Sequence, residues 1–158
     1  GISMRIETSS DLPEAIVADA AKIRQIVVNL VGNALKFTAS GWVKMSVDMF
    51  RVGIGIHWLR IVVEDTGPGI GDDEFAEAFA DFGQTRSGRA QQGGTGLGLS
   101  ISQQYARLMN GTLSVSSIVG EGSTFAVEVP VEIGDAQEIE PDSETSAVYA
   151  VISSGLSP

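Results

Sequence analysis

The 158-residue chain contains no cysteine. This absence excludes disulfide bonds and thiolate metal ligands, and it is compatible with a reducing compartment. Long apolar runs are missing too, because none approaches the ~20 residues that a membrane helix needs. The opening stretch, GISMRIETSS, has neither the basic nor the apolar region of a secretory signal. We expect a cytoplasmic portion that makes no membrane contact of its own, and whether the whole protein is membrane-bound stays open.

Basic residues are scarce, since 10 Lys and Arg stand against 20 Asp and Glu, for a formal net charge of −10. This balance argues against a nucleic-acid surface, because a phosphate backbone requires clustered basic side chains. The acidic excess is greatest over residues 132–144, EIGDAQEIEPDSE, where no basic residue occurs. We interpret residues 1–131 as one globular domain and residues 132–158 as an acidic linker and tail. The tail either docks on this domain or leads to a further domain downstream.

Hydrophobic periodicity predicts an α/β domain. A strongly periodic helix begins after Asp19 and is ended by Gly41, with an apolar face that includes Ile26 and Leu30. The other predicted elements are a strand near Met4 and Ile6, strands over 42–50 and 57–65 joined as a hairpin, a short helix within 72–82, a helix from residue 97 that Gly111 caps, and strands over 112–119 and 123–131. Because helices are interspersed with hairpins, we expect a mixed sheet covered on one face by helices.

The stretch VVEDTGPGIG, residues 62–71, ends a predicted strand on an acid and then supplies several glycines. Asp65 shares strand parity with Ile61 and Val63, so its carboxylate is expected to point toward the buried layer. Gly67 and Gly69 leave room for a flat group to approach the backbone. A buried carboxylate beside bare backbone is suited to accept a hydrogen bond from the exocyclic amine of adenine, although an ordinary tight turn has the same local pattern.

A second glycine cluster, GGTGLGLS at residues 93–100, opens a predicted helix. Free backbone N–H groups at a helix N-terminus form an anion site. A loop and not a strand precedes the cluster, which disfavours a Rossmann motif, and the P-loop pattern is absent. The cluster indicates either phosphate binding or a flexible hinge.

Asn29, Asn33 and Lys36 recur at helical spacing and form a polar stripe beside the apolar face. Asparagine is a mediocre helix former, so two in one helix interior suggest a specific use. An amide oxygen is a suitable Mg²⁺ ligand, and a lysine suits phosphate. A solvated helix face would have the same spacing.

In combination these segments resemble a known family. The N box NLVGNALKF, the glycine boxes DTGPGI and GTGLGL, and the strand GEGSTFAVEVP follow one another in the order found in the catalytic ATP-binding domains of sensor histidine kinases. These domains belong to the GHKL or Bergerat-fold family, which includes gyrase, Hsp90 and MutL. The resemblance covers roughly residues 4–131. It implies a two-layer α/β sandwich with a mixed, mostly antiparallel sheet.

The resemblance also implies roles for individual residues. Asn29, Asn33 and Lys36 would be the catalytic residues, with Asn33 as the Mg²⁺ ligand. The implied ATP-binding residues are Asp65, Gly67, Gly69 and Thr124 at the base, Phe82, Arg86 and Arg89 at a lid over 83–95, and Gly94, Thr95, Gly96, Leu97, Gly98 and Leu99 at the phosphates. Thr124 would contact adenine through water. Ala80 and Asp81 depart from the Glu-Pro usual before the lid, so its anchoring is the weakest part of the match.

The resemblance further implies Mg-ATP as substrate and a histidine as phosphoryl acceptor. Asn29 occupies the place where ATP-hydrolysing relatives carry a glutamate, and its amide cannot serve as a general base. The only histidine, His57, is expected at the surface, so the acceptor would lie on a dimerisation domain of the same protein. A response regulator or receiver domain would act downstream, and this part of the protein would be monomeric. An anti-sigma-factor type of Ser/Thr kinase and a catalytically silent nucleotide-binding module are the alternatives.

Overall fold

The computed structural model describes residues 1–80 and 97–135. In these ranges the strands are β1 Ile2–Thr8, β2 Ile16–Val17, β3 Gly41–Val52, β4 Ile56–Asp65, β5 Thr112–Ile118 and β6 Gly122–Ile133. The helices are α1 Ala20–Phe37, α2 Phe75–Ala78 and α3 Gly98–Leu108. No helix in the described ranges combines the length and the apolar character needed to cross a bilayer.

The described strands form one sheet in the order β1-β3-β4-β6-β2, and β5 also pairs with β6. The β1–β3 pairing is parallel, whereas β3–β4, β4–β6, β5–β6 and β2–β6 are antiparallel. The expected mixed, mostly antiparallel sheet is therefore confirmed.

One face of the sheet carries the core. Alternate residues of three central strands are buried, among them Val43 on β3, Leu59 on β4 and Val127 on β6. The intervening residues form ion pairs on the other face, such as Lys44 with Glu64. Because a fully buried aliphatic side chain contributes roughly 1.5–3 kcal/mol, this alternation fixes which face the helices cover. The two-layer arrangement follows from it.

Helix α1 packs on this face through the apolar stripe that its periodicity predicts, and Ile26 and Leu30 are each 1% exposed. Asp19 caps its start, where Oδ1 accepts a hydrogen bond from the Lys22 N–H at 3.1 Å. The prediction that Gly41 ends this helix is wrong. The helix ends at Phe37 because Thr38 takes an extended conformation, with φ −87° and ψ 108°. Gly41 begins β3 instead.

The end of α3 also differs from expectation, because Asn110 and not Gly111 adopts the left-handed conformation, with φ 59°. The N–H of Gly111 donates to the Ala106 carbonyl at 2.8 Å and that of Asn110 to Arg107 at 2.9 Å, which is the Schellman pattern. Gly111 is needed for a different reason. A Cβ there would lie 2.2 Å from the Glu128 carbonyl oxygen.

The boundary of the folded part also shifts slightly. Strand β6 continues to Ile133, past the predicted end at residue 131, because it pairs there with the unpredicted short strand β2. The short helix predicted within 72–82 is confirmed as Phe75–Ala78 in the part that the structure describes. Residues 136–158, which include most of the predicted linker and tail, lie outside the described residues.

The turn between β5 and β6 provides a test of how tightly the sheet end is packed. Gly120 and Gly122 both have positive φ, 85° and 133°. A Cβ at Gly120 would meet nothing within 4 Å, whereas one at Gly122 would lie 1.9 Å from the Asp65 carbonyl oxygen. We expect Gly120→Ala to lower the free energy of unfolding by about 1 kcal/mol from backbone strain alone. We expect Gly122→Ala to lower it by about 3 kcal/mol, since strand β4 must also move. Urea titration measures both, and equal losses would contradict the close approach.

Candidate functional site

Asp65 is the last residue of β4 and lies between two neighbouring strands, in register with Val43 on β3 and Ser123 on β6. Its Oδ1 accepts a hydrogen bond from the Gly67 N–H at 2.8 Å. Half-burial of the carboxyl raises the pKa of Asp65 above its ordinary value, and hydrogen bonds from the backbone of Gly67 and Ser123 oppose this rise. The carboxylate is thus held in place on the helix-covered side, as strand parity predicts.

The loop after Asp65 is shaped by its glycines in two different ways. The Gly67 Cα is crowded by polar atoms, because a Cβ there would lie 2.8 Å from Asp65 Oδ1 and 3.3 Å from Thr38 Oγ1. Gly69 packs against the β5–β6 hairpin, since its Cβ would lie 2.2 Å from the Ile118 carbonyl oxygen. Hence Gly67 lets the backbone approach the carboxylate closely, and Gly69 lets the loop fit against the sheet.

The β5–β6 hairpin anchors this loop through two hydrogen bonds. The Gly120 N–H donates to the Pro68 carbonyl, and the Ile70 N–H donates to Ser117 Oγ, each at 2.8 Å. Ser117 Oγ also donates to the Gly122 carbonyl at 2.9 Å. Anchoring of this kind limits the loss of loop entropy on ligand binding.

The register of β6 puts the side chains of Ser123 and Thr124 on opposite faces of the sheet. Ser123 is opposite Asp65, is 7% exposed and has its Oγ 2.9 Å from Ser117 Oγ. Thr124 is opposite Glu64, so alternation places its side chain on the other face of the sheet. Motif matching missed Ser123, although the parity that oriented Asp65 would have found it. The role of Thr124 as a base contact stays a prediction, and its position does not favour it.

The polar stripe of α1 meets the start of α3. Asn29 Nδ2 donates to the Gly98 carbonyl at 3.0 Å and lies 3.1 Å from Ser102 Oγ, and Asn29 Oδ1 accepts from Gln25 Nε2 at 2.9 Å. This network joins the two helices where the second glycine cluster becomes helical. A Cβ at Gly98 would make only an ordinary van der Waals contact with the Asn29 side chain, at 3.6 Å, so this contact does not itself require glycine.

Asn33 and Lys36 continue the stripe along α1. The half-buried Asn33 amide makes no hydrogen bond to any described residue, so its oxygen is available to a ligand. The Lys36 ammonium lies 5.1 Å from the centre of the Phe37 ring. No cluster of three acidic or histidine side chains occurs within residues 1–80 and 97–135. A cation at Asn33 would therefore take its remaining ligands from water and phosphate, as Mg²⁺ commonly does in nucleotide sites.

The first turn of α3 has the features of an anion site. Leu97 is its N-cap residue, and no described side chain caps the first N–H groups. Ser100 Oγ donates back to the Leu97 carbonyl at 3.0 Å and therefore does not accept from the helix start. Leu99 packs partly buried against the core, so only its backbone faces the site. Open N–H groups and the positive end of the helix dipole together favour a phosphate.

The structure therefore brings two clusters to one side of the sheet, Asp65 with its glycine loop and the α1 stripe with the start of α3. The six remaining predicted site residues lie outside the described residues, namely Phe82, Arg86, Arg89, Gly94, Thr95 and Gly96. Their roles stay predictions. His57 lies at the far end of β4 from Asp65, a span of about 27 Å along the strand.

Comparisons with known proteins agree with this arrangement. A family profile described as "Histidine kinase-, DNA gyrase B-, and HSP90-like ATPase" matches residues 18–133. Histidine protein kinase 1 of Candida albicans is 43% identical over 126 residues, which cover 79% of this chain and 5% of that protein. Sensor protein EvgS of Escherichia coli strain K12 is 36% identical over 133 residues, which cover 83% of this chain and 11% of that protein. The chain thus spans a small part of these relatives.

Solved structures extend the similarity to three dimensions. Full-length ShkA in complex with AMPPNP matches with a TM-score of 0.71 and 36% identity, over 86% of this chain and 27% of that one. The nucleotide-free catalytic domain of histidine kinase ThkA matches with a TM-score of 0.61 and 28% identity, over 82% of this chain and 80% of that one. The chain therefore belongs to the family of histidine kinase-, DNA gyrase B- and HSP90-like ATPases, as a catalytic ATP-binding domain of the histidine kinase type.

Proposed function

We propose that this domain binds Mg-ATP and donates the γ-phosphoryl group to a histidine on a separate dimerisation domain of the same protein, in two-component signalling. The observation that carries the proposal is the Asn29–Gly98 hydrogen bond of 3.0 Å. This bond joins the α1 stripe to the start of α3, and it supports the proposal that the amides, the Lys36 ammonium and the first N–H groups of α3 act on the same phosphates. A response regulator or receiver domain then receives the phosphate from that histidine.

In the proposed site, one end binds the adenine base and the other end binds the phosphates. At the base end, the Asp65 carboxylate accepts a hydrogen bond from the exocyclic amine of adenine, beside the bare backbone of Gly67. At the phosphate end, the first N–H groups of α3 and the Lys36 ammonium hold the phosphate oxygens, and Asn33 supplies an oxygen ligand for Mg²⁺. When bound, Mg²⁺ neutralises charge on the phosphates. The chain has a net charge of −10, so ATP depends on these local groups to enter.

Asn29 favours transfer to a protein acceptor over hydrolysis. It lies one helical turn before Asn33, and both functions of its amide are already hydrogen-bonded, to Gly98 and to Gln25. An amide neither accepts a proton near neutral pH nor activates water, so attack by water is slow. In the proposed reaction, the bond between the γ-phosphorus and the bridging oxygen breaks, ADP leaves, and an imidazole nitrogen takes the phosphoryl group. Catalysis is then mostly positioning and charge stabilisation.

His57 does not qualify as the acceptor because of its place in the sheet. It is half-buried in β4, in register with Val131 on β6, and lies at the opposite end of the strand from Asp65. We therefore propose that the acceptor histidine lies on another domain. We expect this part of the protein to be monomeric and cytoplasmic, without nucleic-acid or membrane contact of its own.

Transfer is tested by mixing the chain with γ-labelled Mg-ATP and the separately produced dimerisation domain of its own full-length protein. We expect label on that domain that is lost in acid and retained in alkali, as for a phosphohistidine. Asp48→Asn, on the opposite face of the sheet beside Arg60, is the matched control and should transfer as wild type does. Acid-stable label would indicate a Ser/Thr kinase, and tight ATP binding without any transfer would indicate a silent nucleotide-binding module. Either result contradicts the proposal.

Asn33→Ala tests the cation ligand. We expect this variant to bind Mg-ATP about tenfold more weakly, corresponding to about 1.4 kcal/mol, and metal-free ATP with nearly unchanged affinity. Isothermal titration with and without Mg²⁺ gives both constants. Val28→Ala is the control, because Val28 is 58% exposed on the same helix and takes no part in the stripe. Equal losses with and without Mg²⁺ would argue against cation ligation by Asn33.

Asp65→Asn tests the base contact and the pKa together. We expect adenine affinity to fall at least tenfold, because a charged acceptor is lost. The free energy of unfolding of Asp65→Asn should not be lower than that of wild type. The raised pKa of Asp65 means that the wild-type fold loses stability as pH rises from about the ordinary value of 3.8 through the folded value. The asparagine lacks this loss, so the variant's relative stability should be greater at pH 7 than at pH 4 in urea titrations. Wild-type affinity in the variant would remove Asp65 from the adenine contact.

A further inference from the structure

The sheet face opposite the helices carries an apolar patch at the end where β3 turns into β4. Its members lie at this turn, beside it, or on the neighbouring strand β6, and we name them the hairpin patch: Phe50, Val52, Ile54, Ile56, Trp58 and Pro130. The Phe50 and Trp58 rings stack with their centroids 6.3 Å apart. Ile54 is fully exposed, and Val52 and Ile56 are 48% and 52% exposed.

The rest of this face is polar, as is usual where an antiparallel sheet faces water. Lys44 pairs with Glu64, and Arg60 pairs with Asp48, on strand positions that lie nearer to the candidate site. Arg60 also lies over the Phe50 ring, with its Cζ atom 5.5 Å from the centroid. A contiguous apolar surface bordered by charged side chains is typical of a surface that another segment or a partner covers.

The chain leaves the described fold beside this patch. Strand β6 ends at Ile133, and Val131 is in register with His57, the neighbour of Trp58 on β4. Strands β6, β4 and β3 are adjacent in the sheet. Because neighbouring strands lie about 4.8 Å apart, the patch is only one or two strands, about 5–10 Å, from the end of β6.

The sequence that follows has a segment suited to this surface. Residues 147–152, AVYAVI, are an uninterrupted apolar run beyond the acidic linker. Valine, isoleucine and tyrosine pack well on a pleated sheet surface. The 12 residues from 136 to 147 span up to about 40 Å when extended, so the run can reach every member of the hairpin patch.

The charges along this path are complementary. Arg51 is exposed at the hairpin end of β3, and none of the ion pairs formed within residues 1–80 and 97–135 involves it. The linker between the end of the fold and the apolar run carries Glu138, Glu140, Asp142 and Glu144 and no basic residue. Opposite charges at the surface favour approach of the two segments, although an exposed ion pair adds little stability.

We propose that residues 147–152 of the tail cover the hairpin patch of the same chain, with the acidic linker passing Arg51 on the way. The tail then docks on this domain before any further domain begins. The hairpin patch lies at the opposite end of β4 from Asp65. The inference is therefore independent of the proposed nucleotide site, and loss of the contact leaves ATP affinity unchanged.

The test uses a nitroxide spin label on Ser153→Cys, directly after the apolar run. The wild-type chain has no cysteine, so the label attaches at this position alone. A nitroxide broadens the amide NMR signals of nearby residues. We expect the signals of Ile54 and Ile56 to lose intensity, and the signal of Ile118, which is exposed at the other end of the sheet, to keep it.

A paired substitution in the tail provides the control. Val148→Asp places a carboxylate in the apolar run, where burial on an apolar surface is unfavourable, and it should restore the lost signals. Leu156→Asp makes a similar change beyond the run and should not restore them. In a Trp42→Phe background, where Trp58 is the only tryptophan, Val148→Asp should shift the fluorescence emission to longer wavelength and Leu156→Asp should not.

Four results would overturn the inference. The first is full intensity at Ile54 and Ile56 in the labelled chain, and the second is a loss of intensity that Val148→Asp does not reverse. The third is the same loss in unlabelled ¹⁵N-enriched chain mixed with spin-labelled chain of natural isotope content, which would show that a second copy covers the patch. The fourth is weaker ATP binding in Val148→Asp, which would place the run at the nucleotide site.

Discussion

The placement of a half-buried carboxylate at the end of β4 is the constraint on which the rest of the site depends. Asp65 is tolerated there because backbone N–H groups from Gly67 and Ser123 reach it. Those donors come from the loop that follows β4 and from strand β6, so both must lie very close to Asp65. Gly122 allows this approach, since a Cβ at that position would lie 1.9 Å from the Asp65 carbonyl oxygen. One acid thus requires a particular hairpin packed beside it.

The phosphate end is organised by a separate contact that is independent of this acid. Asn29 links α1 to α3 through the Gly98 carbonyl, and the amide remains hydrogen-bonded within the protein. Its role is therefore to join two helices, one of which carries Asn33. An amide does this without adding a base. If the phosphates bind there as proposed, the residue that joins the two helices also puts an amide where a water-activating carboxylate could otherwise stand.

Much of the fold could be predicted from the sequence because apolar alternation is strong in β3, β4 and β6. Parity also predicted correctly that Asp65 faces the buried layer. The predictions that were wrong depend on local backbone details. Asn110 and Gly111 both suit a helix end, and only the packing of Gly111 against the Glu128 carbonyl explains which one takes the left-handed conformation. Strand β2 has two residues, too few for any period to be visible.

Some candidate site residues could also be found from the sequence, and others could be found only from the structure. Residues that a motif names by type, such as Asn33 and Asp65, could be proposed from the sequence, and their roles stay predictions. Residues that lie near Asp65 because of strand register were not found by motif matching. Ser123 was missed because the motif favoured Thr124, whose side chain the strand pleat directs to the other face of the sheet. Thr38 could not be singled out from the sequence, because the burial of its hydroxyl is not visible there. Only its burial and its distance from the Gly67 position distinguish it.

Two features that cost stability, the desolvated Asp65 carboxyl and the buried Thr38 hydroxyl, both lie close to Gly67. Elsewhere in the described core the buried residues are mainly aliphatic, and the buried serines have hydrogen-bond partners. Local violations of the rules for a stable core commonly concentrate where a ligand supplies the missing partners. Ligand binding then returns part of the lost stability, because it favours the folded state by mass action. The stability that this corner of the fold lacks without nucleotide is therefore itself an argument that the base binds there.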